Sequence, residues 1–123
     1  MIEGVVNAAY EAVVTLFLRG PTGQEREIEA VIDTGYSGFL TLPPSLVEEL
    51  GLPFLLHGGA VLANGDTATF GVHGVTILWD GRPRFIEADA VGPLPLAGMS
   101  LLDMHDLSIQ VRDGGRVVIQ PMA

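Results

Sequence analysis

One carboxylate stands out for its surroundings. Asp33 falls between two apolar segments, Val31-Ile32 and Phe39-Leu40-Thr41-Leu42, inside the polar turn Asp33-Thr34-Gly35-Tyr36-Ser37-Gly38. A carboxylate enclosed by buried strands is costly unless it is hydrogen-bonded, shares a proton, or is put to use. Such a group can take and return a proton, the chemistry of a general base or acid. Gly35 and Gly38 allow backbone conformations, or a close approach of another chain segment, that a side chain would forbid. Thr34 and Ser37 bring hydroxyls that can satisfy the turn or its carboxylate. The tripeptide Asp33-Thr34-Gly35 alone also suits a solvent-facing turn, so its flanks matter more than its letters.

Other chemistries find little support. The chain has no cysteine, which removes disulfides, thiol nucleophiles and thiolate metal sites. His57, His73 and His105 are far apart, and none has a partner at metal-ligand spacing. Asp103-Met104-His105-Asp106 reads as a solvated turn. Ser37 sits in Gly35-Tyr36-Ser37-Gly38, which is not the Gly-x-Ser-x-Gly elbow of a serine hydrolase. Gly71-Val72-His73-Gly74 has no dinucleotide fingerprint around it. All six basic residues are arginine, so lysine-dependent chemistry and the phosphate-binding P-loop are excluded. The net charge of −9 disfavours nucleic acid, whose binders need a basic surface, and is otherwise read as solubility. No metal or cofactor is expected.

The elements that must position Asp33 can be read from pattern. Ala12 to Leu18 is rich in β-branched and aromatic residues and predicts a strand, followed by a hairpin loop over Arg19 to Gln24. Glu25 to Ile32 alternates, with Glu25, Glu27 and Glu29 against Ile28, Ala30 and Ile32. One face should be wet and the other buried, and the strand should run inward to Asp33. After the turn, Phe39 to Leu42 predicts a strand. A short helix should follow, with Pro44 in its first turn and Gly51 at its end, or with Ser45 to Glu48 as a capping box. Leu55 to Phe70 predicts a hairpin with a two-residue type I′ turn at Asn64-Gly65. Further strands are expected at Val75 to Trp79, Arg84 to Val91, Leu107 to Val111 and Arg116 to Gln120, with turns at Asp80-Gly81 and Asp113-Gly114-Gly115. Sixteen glycines and eight prolines fit many turns and short strands. The 123 residues suit one domain spanning 1–123, and 48% hydrophobic residues can supply its core. No stretch approaches the ~18 apolar residues of a membrane-spanning helix. The start lacks a basic signal region, and the expected location is the cytoplasm.

Three local patterns, in order, resemble retropepsin-like aspartic proteases of the bacterial and archaeal single-lobe type. The first is Asp33-Thr34-Gly35 between apolar strands. The second is Ala63-Asn64-Gly65, similar to the flap tip of that family. The third is Leu96-Ala97-Gly98-Met99-Ser100-Leu101-Leu102, similar to the apolar run, glycine and short helix that thread beside the Asp-Thr-Gly turn. The likeness covers roughly residues 10 to 120. It implies a mainly β fold, a single-lobe acid-protease barrel with one or two short helices. Two departures stand out: Ala97 is smaller than the family's usual Ile or Leu, and Tyr36 replaces its usual Ala or Ser.

The resemblance implies an aspartic endopeptidase with Asp33 as catalytic residue. Thr34, Gly35, Ser37 and Gly98 would support the turn, and Ala63, Asn64 and Gly65 would form the substrate-binding flap. Pepsin-like chemistry needs two carboxylates, and this chain offers one such turn. A homodimer is therefore expected, with a C₂ axis near Asp33 and peptide or protein as substrate. By the same resemblance Thr34 would bond across to the partner's turn, and Arg116 to Gln120 would form a second contact between copies. The rival reading is a catalytically weak or inactive module that dimerises and holds peptides.

Overall fold

The computed structural model describes residues 1–123. Ten strands and one short helix follow the order β1 (Ile2–Val6), β2 (Ala12–Arg19), β3 (Glu25–Ile32), β4 (Leu40–Leu42), α1 (Pro44–Glu49), β5 (Phe54–Val61), β6 (Thr67–Trp79), β7 (Arg82–Ala90), β8 (Leu96–Ala97), β9 (His105–Ile109) and β10 (Arg116–Pro121). The strands form one sheet in the order β5-β6-β7-β4-β8-β3-β2-β1-β10-β9, and β6 pairs additionally with β2. The expected mainly β architecture is what the chain adopts.

Alternation builds the core. In β2, Val14, Leu16 and Leu18 point inward and are essentially unexposed, while Thr15, Phe17 and Arg19 point out. Leu40 and Leu42 from β4, Ile77 from β6, Leu101 and Ile119 pack with them in one cluster of 21 buried residues. In β3 the alternation fades at its end, where the successive residues Val31 and Ile32 are both half-buried as the strand passes between β2 and β8.

Local chemistry explains the turns. In α1, Pro44 sits at the start with no side-chain cap, so the capping-box alternative does not form. Leu46, Val47 and Leu50 bury the inner face, and Gly51, at φ 61°, ends the helix. The type I′ hairpin lies at Asp80-Gly81, both with positive φ, between the paired Trp79 and Arg82. The hairpin at Asn64-Gly65 is longer than expected. Val61 pairs with Thr67 and Leu62 N donates to Asp66 O at 2.7 Å, leaving Ala63 to Gly65 as a three-residue loop. Asn64 Oδ1 accepts from the Asp66 amide at 3.0 Å, so the side chain shapes the loop in place of a second positive φ.

Two further expectations change. The segment after Gly98 is a run of turns, with Leu101 N donating to Gly98 O at 3.2 Å, and no second helix forms. The terminal strand β10 is flanked by β1 on one side and β9 on the other. Both edges are taken within the chain as far as Ile119, while Gln120 and Pro121 pair only with β9, so the edge left for a second copy is at the end of the strand. The unpaired edges belong to β5 and β9.

Candidate functional site

The two strands that lead into and out of the turn fix Asp33. β3 pairs in parallel with β8, Val31 against Leu96 and Ile32 against Ala97, and the Asp33 amide continues this ladder onto Ala97 O at 2.9 Å. β4 leaves the turn and pairs with the other edge of β8, Leu40 against Ala97. The two-residue strand β8 is therefore a spacer that holds both arms of the turn. Thr41, the one buried polar side chain, secures the spacer's entry. Its hydroxyl donates to Leu94 O at 3.2 Å and accepts from Leu96 N at 2.9 Å.

Within the turn, Asp33 O accepts from Tyr36 N at 3.1 Å, and Asp33 Oδ1 accepts from Gly35 N at 2.9 Å. One carboxylate oxygen is thus oriented by the backbone, while the other takes no hydrogen bond within the chain. Asp33 is half-buried, and Thr34 and Gly35 beside it are exposed. A carboxylate held by one oxygen and free at the other can accept a proton from a water or share one with a second acid.

Gly98 shows why this arrangement needs glycine. Its amide donates to Phe39 O at 2.9 Å, Met99 N donates to Tyr36 O at 2.8 Å, and Ser100 N donates to Gly38 O at 3.1 Å. A Cβ on Gly98 would collide with the Gly38 carbonyl oxygen and come within 2.5 Å of Tyr36 Cδ2. Ser100 adds a side-chain bond, its hydroxyl donating to Ser37 O at 2.5 Å. Asp33, Thr34, Gly35, Ser37 and Gly98 thus share one small region, with Ser37 contributing its carbonyl.

Tyr36 does not reach toward the Asp33 carboxylate. Its ring occupies the space left by the missing side chains of Gly38 and Gly98, and its phenol donates to Asp89 Oδ2 at 2.5 Å. Desolvation pushes the phenol's pKa well above its ordinary range, followed by the hydrogen bond to Asp89 and the negative charges of Asp89 and Glu87. Sequence alone marked Tyr36 as unusual but could not supply Asp89. The two are 53 positions apart, and Asp89 lies in an ordinary alternating strand.

Ala63, Asn64 and Gly65 stand elsewhere, at the tip of the β5–β6 hairpin, and no hydrogen bond joins them to the turn. All of β5 except Gly58 is exposed, so this ribbon has solvent on both faces. It nevertheless carries Phe54, Leu55, Leu56, Val61 and Leu62, each between 44% and 75% exposed. Next to the turn, Ser37, Phe39, Arg84, Met99, Ser100 and Asp103 line an open cleft of about 330 Å³. No group of three or more His, Asp or Glu side chains gathers at metal-binding geometry, and no helix is long and apolar enough to cross a membrane.

No protein-family model matches the sequence, and no curated protein matches it significantly. Solved structures do match. A retropepsin-like aspartic protease from Rickettsia conorii superposes with a TM-score of 0.61 at 17% identity, over 99% of this chain and 91% of that one. The EIAV protease complexed with the inhibitor HBY-793 superposes with a TM-score of 0.54 at 17% identity, over 78% of this chain and 88% of that one. The chain has the retropepsin-like fold.

Proposed function

We propose that this protein is an aspartic endopeptidase that acts as a homodimer, with one Asp33 from each chain. The observation that carries the reading is the state of the Asp33 carboxylate: one oxygen fixed by the Gly35 amide at 2.9 Å, the other free, in a turn braced on both sides by β8. The retropepsin-like fold supports it.

Two such turns related by a C₂ axis bring two carboxylates onto one water. Like charges at that separation cannot both ionise cheaply, so the pair holds one proton. The ionised member takes a proton from the water, and the protonated member polarises the scissile carbonyl. The water oxygen bonds to the carbonyl carbon, giving a tetrahedral intermediate. Its collapse breaks the C–N bond as a proton passes to the leaving amine. Thr34 is exposed beside Asp33, and in this reading it bonds to the partner's turn and locks the two loops together. The β5–β6 hairpin closes over the bound peptide, and its exposed apolar residues cover substrate and exclude water.

The test is incubation of wild type and Asp33→Asn with a mixed peptide library, with association followed by light scattering. Cleavage by wild type alone, from a dimer that both proteins form, is the expected result. Cleavage that survives the substitution overturns the mechanism. A wild type that binds peptides without cutting them assigns the fold to peptide binding.

A further inference from the structure

We propose that Tyr36 is a positioning residue, whose hydrogen bond to Asp89 ties the turn carrying Asp33 to the part of the sheet that carries the β5–β6 hairpin. The inference rests on the endopeptidase reading for its kinetic consequences and on geometry for its physical content.

Tyr36 contacts four separate pieces of the fold. Its amide donates to Asp33 O at 3.1 Å, and its carbonyl accepts from Met99 N at 2.8 Å. Its ring fills the space over Gly38 and Gly98. Its phenol oxygen lies 2.5 Å from Asp89 Oδ2 and 3.4 Å from Leu40 O. Main-chain bonds already pair β4, the strand leaving the turn, with β7, Thr41 lying in register with Asp89. The phenol adds a side-chain bond to the same strand from within the turn itself. There, Asp89 is in register with Val72 of β6, and Val72 is in register with Leu56 at the base of the hairpin. The side chain therefore reinforces, from the turn itself, the link that β4 makes to the strand beside the hairpin's root.

The connection is strong and constant. A hydroxyl donating to a carboxylate is among the stronger hydrogen bonds in proteins. Burial and the nearby charges of Asp89 and Glu87 keep the phenol protonated, so the donor is present across the working pH range. The carboxylate is half-buried, and in the chain its partner is this phenol. The bond behaves as a brace rather than as a switch. Its value for catalysis is precision, because a small displacement of a reacting group costs much more rate than binding. An alanine or serine at position 36 could not span the distance to β7, so this chain braces its turn in its own way.

Tyr36→Phe keeps the ring and removes only the donor. Asp89→Asn keeps an oxygen acceptor, while Asp89→Leu removes it. With a peptide substrate, Tyr36→Phe should lower kcat about tenfold and leave KM within about twofold. The bell-shaped pH profile should narrow, since carboxylates held less closely couple their protonation less strongly. Asp89→Leu should match Tyr36→Phe, the double variant should be no worse than either, and Asp89→Asn should stay within about threefold of wild type. Hydrogen exchange supplies a readout that needs no activity: the Gly35 amide, which holds Asp33 Oδ1, should exchange about tenfold faster in Tyr36→Phe. Unchanged kcat, pH width and Gly35 protection in that variant would overturn the brace. If wild type cuts no peptide, the endopeptidase reading fails. The Gly35 exchange then decides the brace by itself, faster exchange supporting it and equal exchange rejecting it.

Discussion

Gly98→Ala isolates the close approach on which the turn depends. Gly98 does not have a positive φ, so the substitution brings no backbone strain of its own, and its cost is steric. The new methyl would overlap the Gly38 carbonyl oxygen, lie 2.9 Å from the Gly38 carbonyl carbon and 2.5 Å from Tyr36 Cδ2. The tyrosine ring could swing aside, but the backbone carbonyl cannot move without loosening Ser100 N to Gly38 O and Gly98 N to Phe39 O, at 3.1 and 2.9 Å. Overpacking of this kind costs about 1–3 kcal/mol, and each weakened hydrogen bond adds about 1 kcal/mol. A loss of about 3 kcal/mol is expected, a large part of the stability of a domain this size. Urea unfolding at fixed protein concentration measures it, with Gly59→Ala as control. A Cβ at Gly59 meets only Ala68 O at 3.6 Å, an ordinary contact, so that variant should stay within about 0.5 kcal/mol of wild type. If Gly98→Ala were no more destabilising than Gly59→Ala, the turn and β8 would not be packed as described.

Thr41→Val keeps the side chain's shape but leaves Leu96 N and Leu94 O without their shared hydroxyl, and should destabilise by about 1–3 kcal/mol in the same assay. The Tyr36 phenol has a higher pKa folded than unfolded, so its contribution to stability is fully present below the unfolded value of about 10 and is lost as pH rises above it. Urea midpoints measured above pH 10 should therefore fall more steeply for wild type than for Tyr36→Phe; parallel curves would contradict the buried phenol. Hydrogen exchange should be faster in Phe54–Val61 than in Leu40–Leu42, and should slow in the hairpin when a peptide-like inhibitor binds. Equal protection in both segments, unchanged by ligand, would count against a mobile cover. Peptide cleavage should be bell-shaped in pH with its maximum on the acidic side of neutral, and a monotonic profile would argue against a shared proton.

Much of the architecture was legible because period and punctuation agree. Val14, Leu16 and Leu18 alternate with outward residues as a half-buried strand should, and Pro44 and Gly51 bracket the helix they were expected to bracket. The approach of Gly98 to the Asp33 turn was implied by the resemblance, and the two backbones do meet there. What failed was local geometry set by side chains and distant partners. Asn64-Gly65 carries the strongest two-residue turn signal, yet Asn64 bonds to the Asp66 amide and the loop takes three residues, Ala63 to Gly65. The resemblance allowed one or two short helices, and the chain forms one, with only turns after Gly98. Strand β10 was expected to meet a second copy through Arg116 to Gln120, and the chain itself takes both edges as far as Ile119, a pairing that depends on the whole order of the sheet. The partner of Tyr36 was invisible for the same reason: nothing local to Asp89 marks it as the end of a brace.

The claim that one active site draws a carboxylate from each of two chains is tested most directly by mixing. Wild type and Asp33→Asn chains are refolded together at a series of ratios, total protein is held constant, and peptide cleavage is measured. If both carboxylates are needed, only wild-type pairs cut, and at equal amounts activity falls to about a quarter of the all-wild-type value, following the square of the wild-type fraction. Activity that falls in direct proportion to that fraction, to about half at equal amounts, would mean that each chain works alone and would contradict the account.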